Sequence, residues 1–374
     1  MYIFTLGILS ILSLIEIFNK DIVEKRKIYF LILAFSLLVF HDGFRWQTGC
    51  DWDAYSSYFE NFFKEIQVRG DVASFEPLYN LFMMSIRIFT DNYSVYLIIH
   101  ALIFYVMVFW GVFKLSPTPF TSLMLLYMII VPYMGTNRQL LVLGLYFIAL
   151  YFLQDRKWLV FVIIILTGFY VHHSALLCLV ALLFCKKIKL MYLAIAFGVA
   201  LLISFSGIIN LLSPLLLPLV SDDQFYNKMD VYNNLRTYEV SSIVSMLSLA
   251  RKMIWLLILI CFDQRIKNKD TFYNISFNMY FIGILFYVLF NGTVWQQLIA
   301  RGMMYFSVME IFIIPYVLAL LRPNYGKLCV VLLLPLYCWL NITKGFSNYG
   351  KETDYFQPYK GLFINTDYVR QNTD

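Results

Sequence analysis

Apolar runs of roughly 17 to 25 residues, the length that crosses a bilayer, recur along almost the whole chain, with only short polar or basic interruptions. No stretch the size of a soluble domain is left over. Hydrophobic residues fill 61% of the 374 positions and charged ones 14%, far from the near-even apolar share and quarter charged share of soluble proteins. The expected fold class is all-α and polytopic, a single integral membrane domain over 1–374 with no linker or internal repeat dividing it.

Met1 to Phe18 lacks a basic leader and a small-residue cleavage site, so it is expected to remain as the first span. The basic stretches Lys20–Lys27, Gln154–Lys157, Lys186–Lys189, Asp263–Lys269 and Arg322–Lys327 lie in short loops, which the positive-inside bias assigns to the cytoplasm. That bias accounts for the net charge of +6 and calls for no nucleic acid. The number of crossings between two cytoplasmic loops must be even. Five apolar runs between Ile28 and Trp158 would break this parity, and the weakest, Pro77–Phe89, is 13 residues long and carries Asn80 and Arg87. It is expected to lie in the outer interface as an amphipathic helix. About 12 transmembrane helices remain, with both termini outside. Polar residues then gather on the outer face, in loops at 41–92, 207–241 and 291–301 and a tail at 344–374.

Cys50, Cys178, Cys185, Cys261, Cys329 and Cys338 are scattered, mostly inside apolar runs, without CxxC or Cys/His metal spacing. They read as packing residues. Neither a metal site nor a cofactor is called for.

The residues that carry chemistry lie at the outer ends of spans. Phe44 to Phe63 (FRWQTGCDWDAYSSYFENFF) places Arg45, Gly49, Asp51, Asp53 and Tyr55 together, followed by a surface helix that Asp53 would cap. Glu76 precedes the interfacial helix, Arg138 and Gln139 open a span in GTNRQL, His172 and His173 fill a turn, and Arg301 opens a late span. A guanidinium at a span end suits phosphate, and also suits snorkelling to headgroups. A His at that level suits a base, and also suits a hydrogen-bonded structural role. Deeper in, Arg251 and Glu310 lie at matched depth, about 12 Å below the outer surface at a rise of about 1.5 Å per residue. They are expected to pair inside the bundle, with Lys252 as a competing partner for Glu310.

In this order the residues resemble the EpsG-like, Wzy-type polysaccharide polymerases of bacterial envelopes. The matching elements are Arg45, the GCDWDAY stretch (Gly49, Asp51, Trp52, Tyr55), Glu76-Pro77, Arg138-Gln139, His172-His173-Ser174-Ala175 and Arg301 with Tyr305-Phe306. Two positions depart from the family pattern: Trp52 stands for a Tyr, and Asn137 for an apolar residue. Asp51 and Asp53 form an Asp-x-Asp that leaves a divalent metal open.

The resemblance implies a membrane-embedded glycosyltransferase that moves a growing glycan from undecaprenyl diphosphate onto a lipid-linked repeat unit at the periplasmic face of the inner membrane. Its partner would be the undecaprenyl-diphosphate-linked oligosaccharide, with a chain-length regulator protein beside it. By the chemistry of such a transfer, Asp51, Glu76 and His172 would be catalytic. Arg45, Asp53, Tyr55, Arg138, Gln139, His173 and Arg301 would bind substrate. A flippase for the same lipid-linked units is the alternative, and predicts charges through the full membrane depth. A membrane acyltransferase would need a His-x-x-x-Asp pair, which the chain lacks.

Overall fold

A computed structural model of the chain describes residues 1–64, 75–211, 242–262, 270–293, 295–296, 299, 302–321, 325–347 and 355–368. These residues are helical or irregular, with isolated bridges (Arg45 with Gly361, Gly361 with Ile364) and no named strand among them. The all-α expectation holds. Tyr93–Leu115, Thr271–Phe290 and Tyr325–Ser347 are long and apolar enough to cross a membrane, and shorter apolar helices accompany them. The chain is a membrane protein.

Helix length does not establish twelve spans. Trp158–Phe169 and His173–Phe184 are 12 residues each. As an α-helix the first covers about 18 Å at about 1.5 Å per residue, short of a hydrocarbon core about 30 Å thick. An apolar run counts toward a span in sequence even where turns interrupt its helix.

The described residues fall into two compact units, Met1–Leu179 with Leu321–Asp374, and Val180–Leu320. In the first, α1 (Tyr2–Phe18), α2 (Lys20–Lys25) and α3 (Lys27–Gly43) lead to a short α4 (Trp52–Glu60) and α5 (Pro77–Arg87). Then come α6 (Tyr93–Leu115), α7 (Pro119–Ile130), α8 (Asn137–Gln154) and α9 (Trp158–Phe169), and α15 (Tyr325–Ser347) closes the unit. Helix α8 packs between α6 and α9, α3 packs on α6, and α1 packs on α7.

Two local features show how this packing is specified. Pro119 and Phe120 start α7, and its first amides would be orphans in an apolar surrounding. Glu16 of α1 supplies the cap, its Oε1 accepting from Phe120 N at 3.0 Å and its Oε2 from Thr121 N at 2.9 Å. The charge inside the first apolar run is thus a tertiary helix cap, favoured by the helix dipole. Pro77 occupies the first turn of α5, where its missing N–H costs nothing. Tyr79, Asn80, Met83 and Ile86 form the buried stripe of α5 while Leu81 stays exposed. At 11 residues, α5 covers about 17 Å at about 1.5 Å per residue, less than the hydrocarbon core.

In the second unit, α12 (Thr271–Phe290) packs against α10 (Leu190–Ser206), α11 (Ser242–Cys261), α13 (Met304–Ser307) and α14 (Glu310–Leu320). Asp270 caps α12 by accepting from Tyr273 N at 2.7 Å. Helices α11 and α14 touch, so the elements bearing Arg251 and Glu310 are neighbours, as their pairing needs. Glu310 is buried and Arg251 half-buried.

Candidate active site

The backbone sets the site before any side chain does. After α3 the chain turns through Gly49, at φ 116°, and Cys50 N donates to Met134 O at 3.0 Å. Facing it, Gly135 sits at φ 102°. A Cβ on Gly49 would lie 2.6 Å from Met134 O, and one on Gly135 would lie 2.9 Å from Asp51 N. Only glycine allows both the left-handed backbone and this approach. The loop bearing Asp51 is thereby fastened to the turn that launches Arg138 on α8.

Arg45 organises the ground beneath. It is 1% exposed. Its Nε donates to Asp42 O at 3.1 Å, its Nη1 to Thr48 O at 2.9 Å and its Nη2 to Asn137 Oδ1 at 2.9 Å. Asp42 Oδ1 lies 3.1 Å from Nε, close enough for charge pairing although not aligned as a hydrogen bond. Asn137 also donates from Nδ2 to Tyr93 OH at 3.3 Å, and its carbonyl takes His100 Nε2 at 2.9 Å. A fully buried guanidinium needs this many acceptors.

Directly after Asn137, Arg138 turns the other way, toward the half-buried face. Its Nη1 donates to Glu76 Oε2 at 2.6 Å and its Nε to Tyr55 OH at 2.9 Å. Its Cζ stands 4.2 Å from the centre of the Phe75 ring, a cation–π contact. The remaining terminal nitrogen, Nη2, has no hydrogen bond among the described residues. The fork is therefore not free for the two-pronged phosphate grip that an Arg at a span end suggests. One donor is.

Glu76 joins the cluster's other members. Its Oε1 accepts from His173 N at 3.2 Å and lies 3.7 Å from His172 Nδ1 and 4.0 Å from His173 Nδ1. Burial pushes the Glu76 carboxyl up, but Arg138 and His172 outweigh that and hold it below its ordinary value. It is a fixed negative charge, ill suited to taking a proton. Tyr55 is pushed up by burial, against the pull of Arg138, so it stays a neutral phenol whose own proton can donate while its oxygen accepts from Arg138.

His172 is partly exposed, with 23% of its side chain accessible, and His173 far more at 68%. Ser174 N donates to His172 Nδ1 at 3.2 Å, which assigns the proton of the neutral ring to Nε2. A shift of that proton to Nδ1 would turn it toward Glu76 and leave Nε2 as an acceptor.

The structure thus brings together Tyr55, Glu76, Arg138, His172 and His173. Asp51, half-buried, sits at the N-cap position of α4 without bonding the first-turn amides, and Asp53 follows exposed in the first turn. The cap position belongs to Asp51, not Asp53, because the helix starts one residue after Asp51. Gln139 is buried, and its Oε1 has no hydrogen-bond partner among the described residues. Arg301 lies outside the described residues. Among the described residues no group of three or more His, Cys, Asp or Glu gathers as a metal site would. Phe75, Asn137, Asp42 and Thr48 are site-forming residues that sequence reasoning passed over. Asn137 alone carried a signal, as the polar departure from an apolar family position.

The sequence matches the EpsG family over residues 27–361. The chain belongs to that family. Its members are Wzy-like polymerases, so the chain falls among proteins of surface-glycan biosynthesis. No curated protein matches the chain, and neither does any solved structure. The matched span contains every residue of the cluster around Glu76.

Proposed function

We propose that this EpsG-family protein is a bacterial surface-polysaccharide polymerase, of O-antigen or capsule. It transfers a growing glycan from undecaprenyl diphosphate onto a lipid-linked repeat unit at the periplasmic face of the inner membrane. The observation that carries this reading is the meeting of Arg138, Glu76, His172 and Tyr55, a cation, a fixed carboxylate, an imidazole and a neutral phenol at one half-buried spot.

The chemistry divides among these groups. The acceptor sugar's hydroxyl gives its proton to His172 as its oxygen bonds to the donor's anomeric carbon. The bond from that carbon to the diphosphate breaks, and its electron pair leaves on the diphosphate. Arg138 Nη2 and the Tyr55 hydroxyl donate to the departing phosphate oxygens, where negative charge grows. Glu76 holds Arg138 in place, and its charge, 3.7 Å from His172 Nδ1, draws the ring proton from Nε2 to Nδ1 when substrate binds, which turns Nε2 into the base. Asp51, on the loop docked beside Arg138, orients the acceptor hydroxyl. Asp53, Gln139 and His173 contact the sugars or the lipid-linked phosphate. Arg45, with its nitrogens engaged by protein acceptors, supports the site from beneath.

Deletion in the native host, followed by electrophoresis of the surface glycan, tests this. A polymerase leaves single-unit product in place of the ladder. Loss of every lipid-linked unit from the outer leaflet, with units accumulating inside, identifies a flippase instead.

A further inference from the structure

Resting on that reading, we infer that residues 355–368 form a positioning strap, joined through Thr48 to the Arg45–Asn137 link that sets Arg138. The tail is rich in aromatics, a pattern equally at home in a sugar-stacking surface and in a loose end. Residues 355–362 bond to the loop before α4. Leu362 N donates to Phe44 O at 2.9 Å, Trp46 N to Lys360 O at 2.9 Å and Gly49 N to Tyr355 O at 2.8 Å. Three bonds along six residues tie the strap to the loop that ends at Asp51.

Thr48 is the joint. It is fully buried, and its Oγ1 accepts from Lys360 N at 3.1 Å and lies 3.0 Å from Lys360 O, to which it can donate. Its carbonyl takes Arg45 Nη1 at 2.9 Å. Arg45 Nη2 in turn holds Asn137, the residue before Arg138. The neighbouring Gln47 sits at φ 45°, a left-handed conformation costly to a residue with a Cβ and kept only where surroundings impose it. Lys360 Nζ donates to Gln47 Oε1 at 2.9 Å and supplies part of that imposition. On the far side, Tyr359 OH donates to His41 O of α3 at 2.7 Å and Tyr2 OH of α1 to Phe356 O at 2.8 Å, so the first half of the strap is bonded to α1 and α3 as well as to the loop. A side chain 312 residues from its partner in sequence thus fixes the loop between two span ends.

The strap touches no reacting group in this arrangement. It acts through Arg45, so its removal should slow turnover without weakening substrate capture. The test compares Thr48→Val, which keeps shape and loses the hydroxyl, with Thr48→Ser, which keeps the hydroxyl, and with Arg138→Ala. Each is expressed in a deletion host and assayed in membranes with isolated undecaprenyl-diphosphate-linked repeat units. Thr48→Val should lower kcat about tenfold with KM little changed, the mark of an interaction that matters in the transition state. Thr48→Ser should restore the ladder.

Wild-type turnover in Thr48→Val beside an inactive Arg138→Ala overturns the strap and leaves the polymerase reading standing. Wild-type turnover in both overturns both. If Thr48→Val fails to reach the membrane, Lys360→Met decides: it removes the ammonium and its bond to Gln47 while keeping the backbone bonds, and should lower kcat about threefold, with KM again the control, and unchanged turnover counts against the strap.

Discussion

Arg138 and Glu76, 62 residues apart in the chain, meet at 2.6 Å, with Phe75 stacked on the guanidinium and two imidazoles on the far side of the carboxylate. The pair locks the start of α8 to the start of α5. It also orients the turn after α9, since Glu76 accepts from His173 N. Three helix ends that sequence separates widely are held by one carboxylate.

Glu76→Ala should therefore destabilise the fold as well as the chemistry. Removing one partner of a fully buried pair costs about 3–5 kcal/mol, and with Arg138 one-fifth exposed about 2 kcal/mol is expected. Thermal unfolding of the purified protein in detergent measures it. The double variant Glu76→Ala/Arg138→Ala should cost less than the sum of the singles, because neither charge is then left alone.

The acid limb follows from the same carboxylate. Burial raises the Glu76 pKa, Arg138 and His172 lower it by more, and the net value lies below 4.5, its ordinary value. Its contribution to stability is thus fully present above the unfolded value and is lost as pH falls through the depressed folded value. The difference in melting temperature between wild type and Glu76→Gln should not shrink from neutral pH to about 5, and should shrink only below that. A difference already shrinking between pH 7 and 6 would assign the effect to another group.

Asn137→Leu should strand Arg45 Nη2 in the interior. Leaving a buried charged donor without its acceptor costs about 1.5–3 kcal/mol, readable as a lower melting temperature. Asn137→Asp restores an acceptor, so it should recover more stability than Leu despite the added charge.

Gly49→Ala forces a Cβ to 2.6 Å from Met134 O at φ 116°, so the loop carrying Asp51 must move. A loss of about 1–2 kcal/mol, together with shortened glycan chains, is expected. Gly7→Ala, in a helix with open space around it, should be neutral or slightly stabilising, by up to about 1 kcal/mol. Equal behaviour of the two variants on the glycan gel would argue against the docked loop.

Much of the cluster was legible in the sequence because polar residues at the ends of apolar runs are few and each needs a reason. Tyr55, Glu76, Arg138, His172 and His173 stood out that way, and they meet. What could not be read was direction. Arg45 and Arg138 look alike as arginines beside a span end, yet one is sunk among Asp42, Thr48 and Asn137 while the other faces the half-buried surface. Deciding between them requires the partners, and Asn137 and Thr48 have no periodicity or spacing that marks them. The tail was opaque for a similar reason: three of its bonds to residues 44–49 are backbone to backbone, and backbone pairing leaves little imprint on composition. Helix length does not carry the span count, since hydropathy reports apolar length and not where a helix breaks.

The most direct measurement is the surface-glycan ladder from a host whose only copy of the gene encodes Arg138→Ala, with the protein's membrane level checked on the same sample. With the variant present in the membrane, the transfer centre described above requires single-unit glycan and no ladder. A full-length ladder from that strain would contradict it.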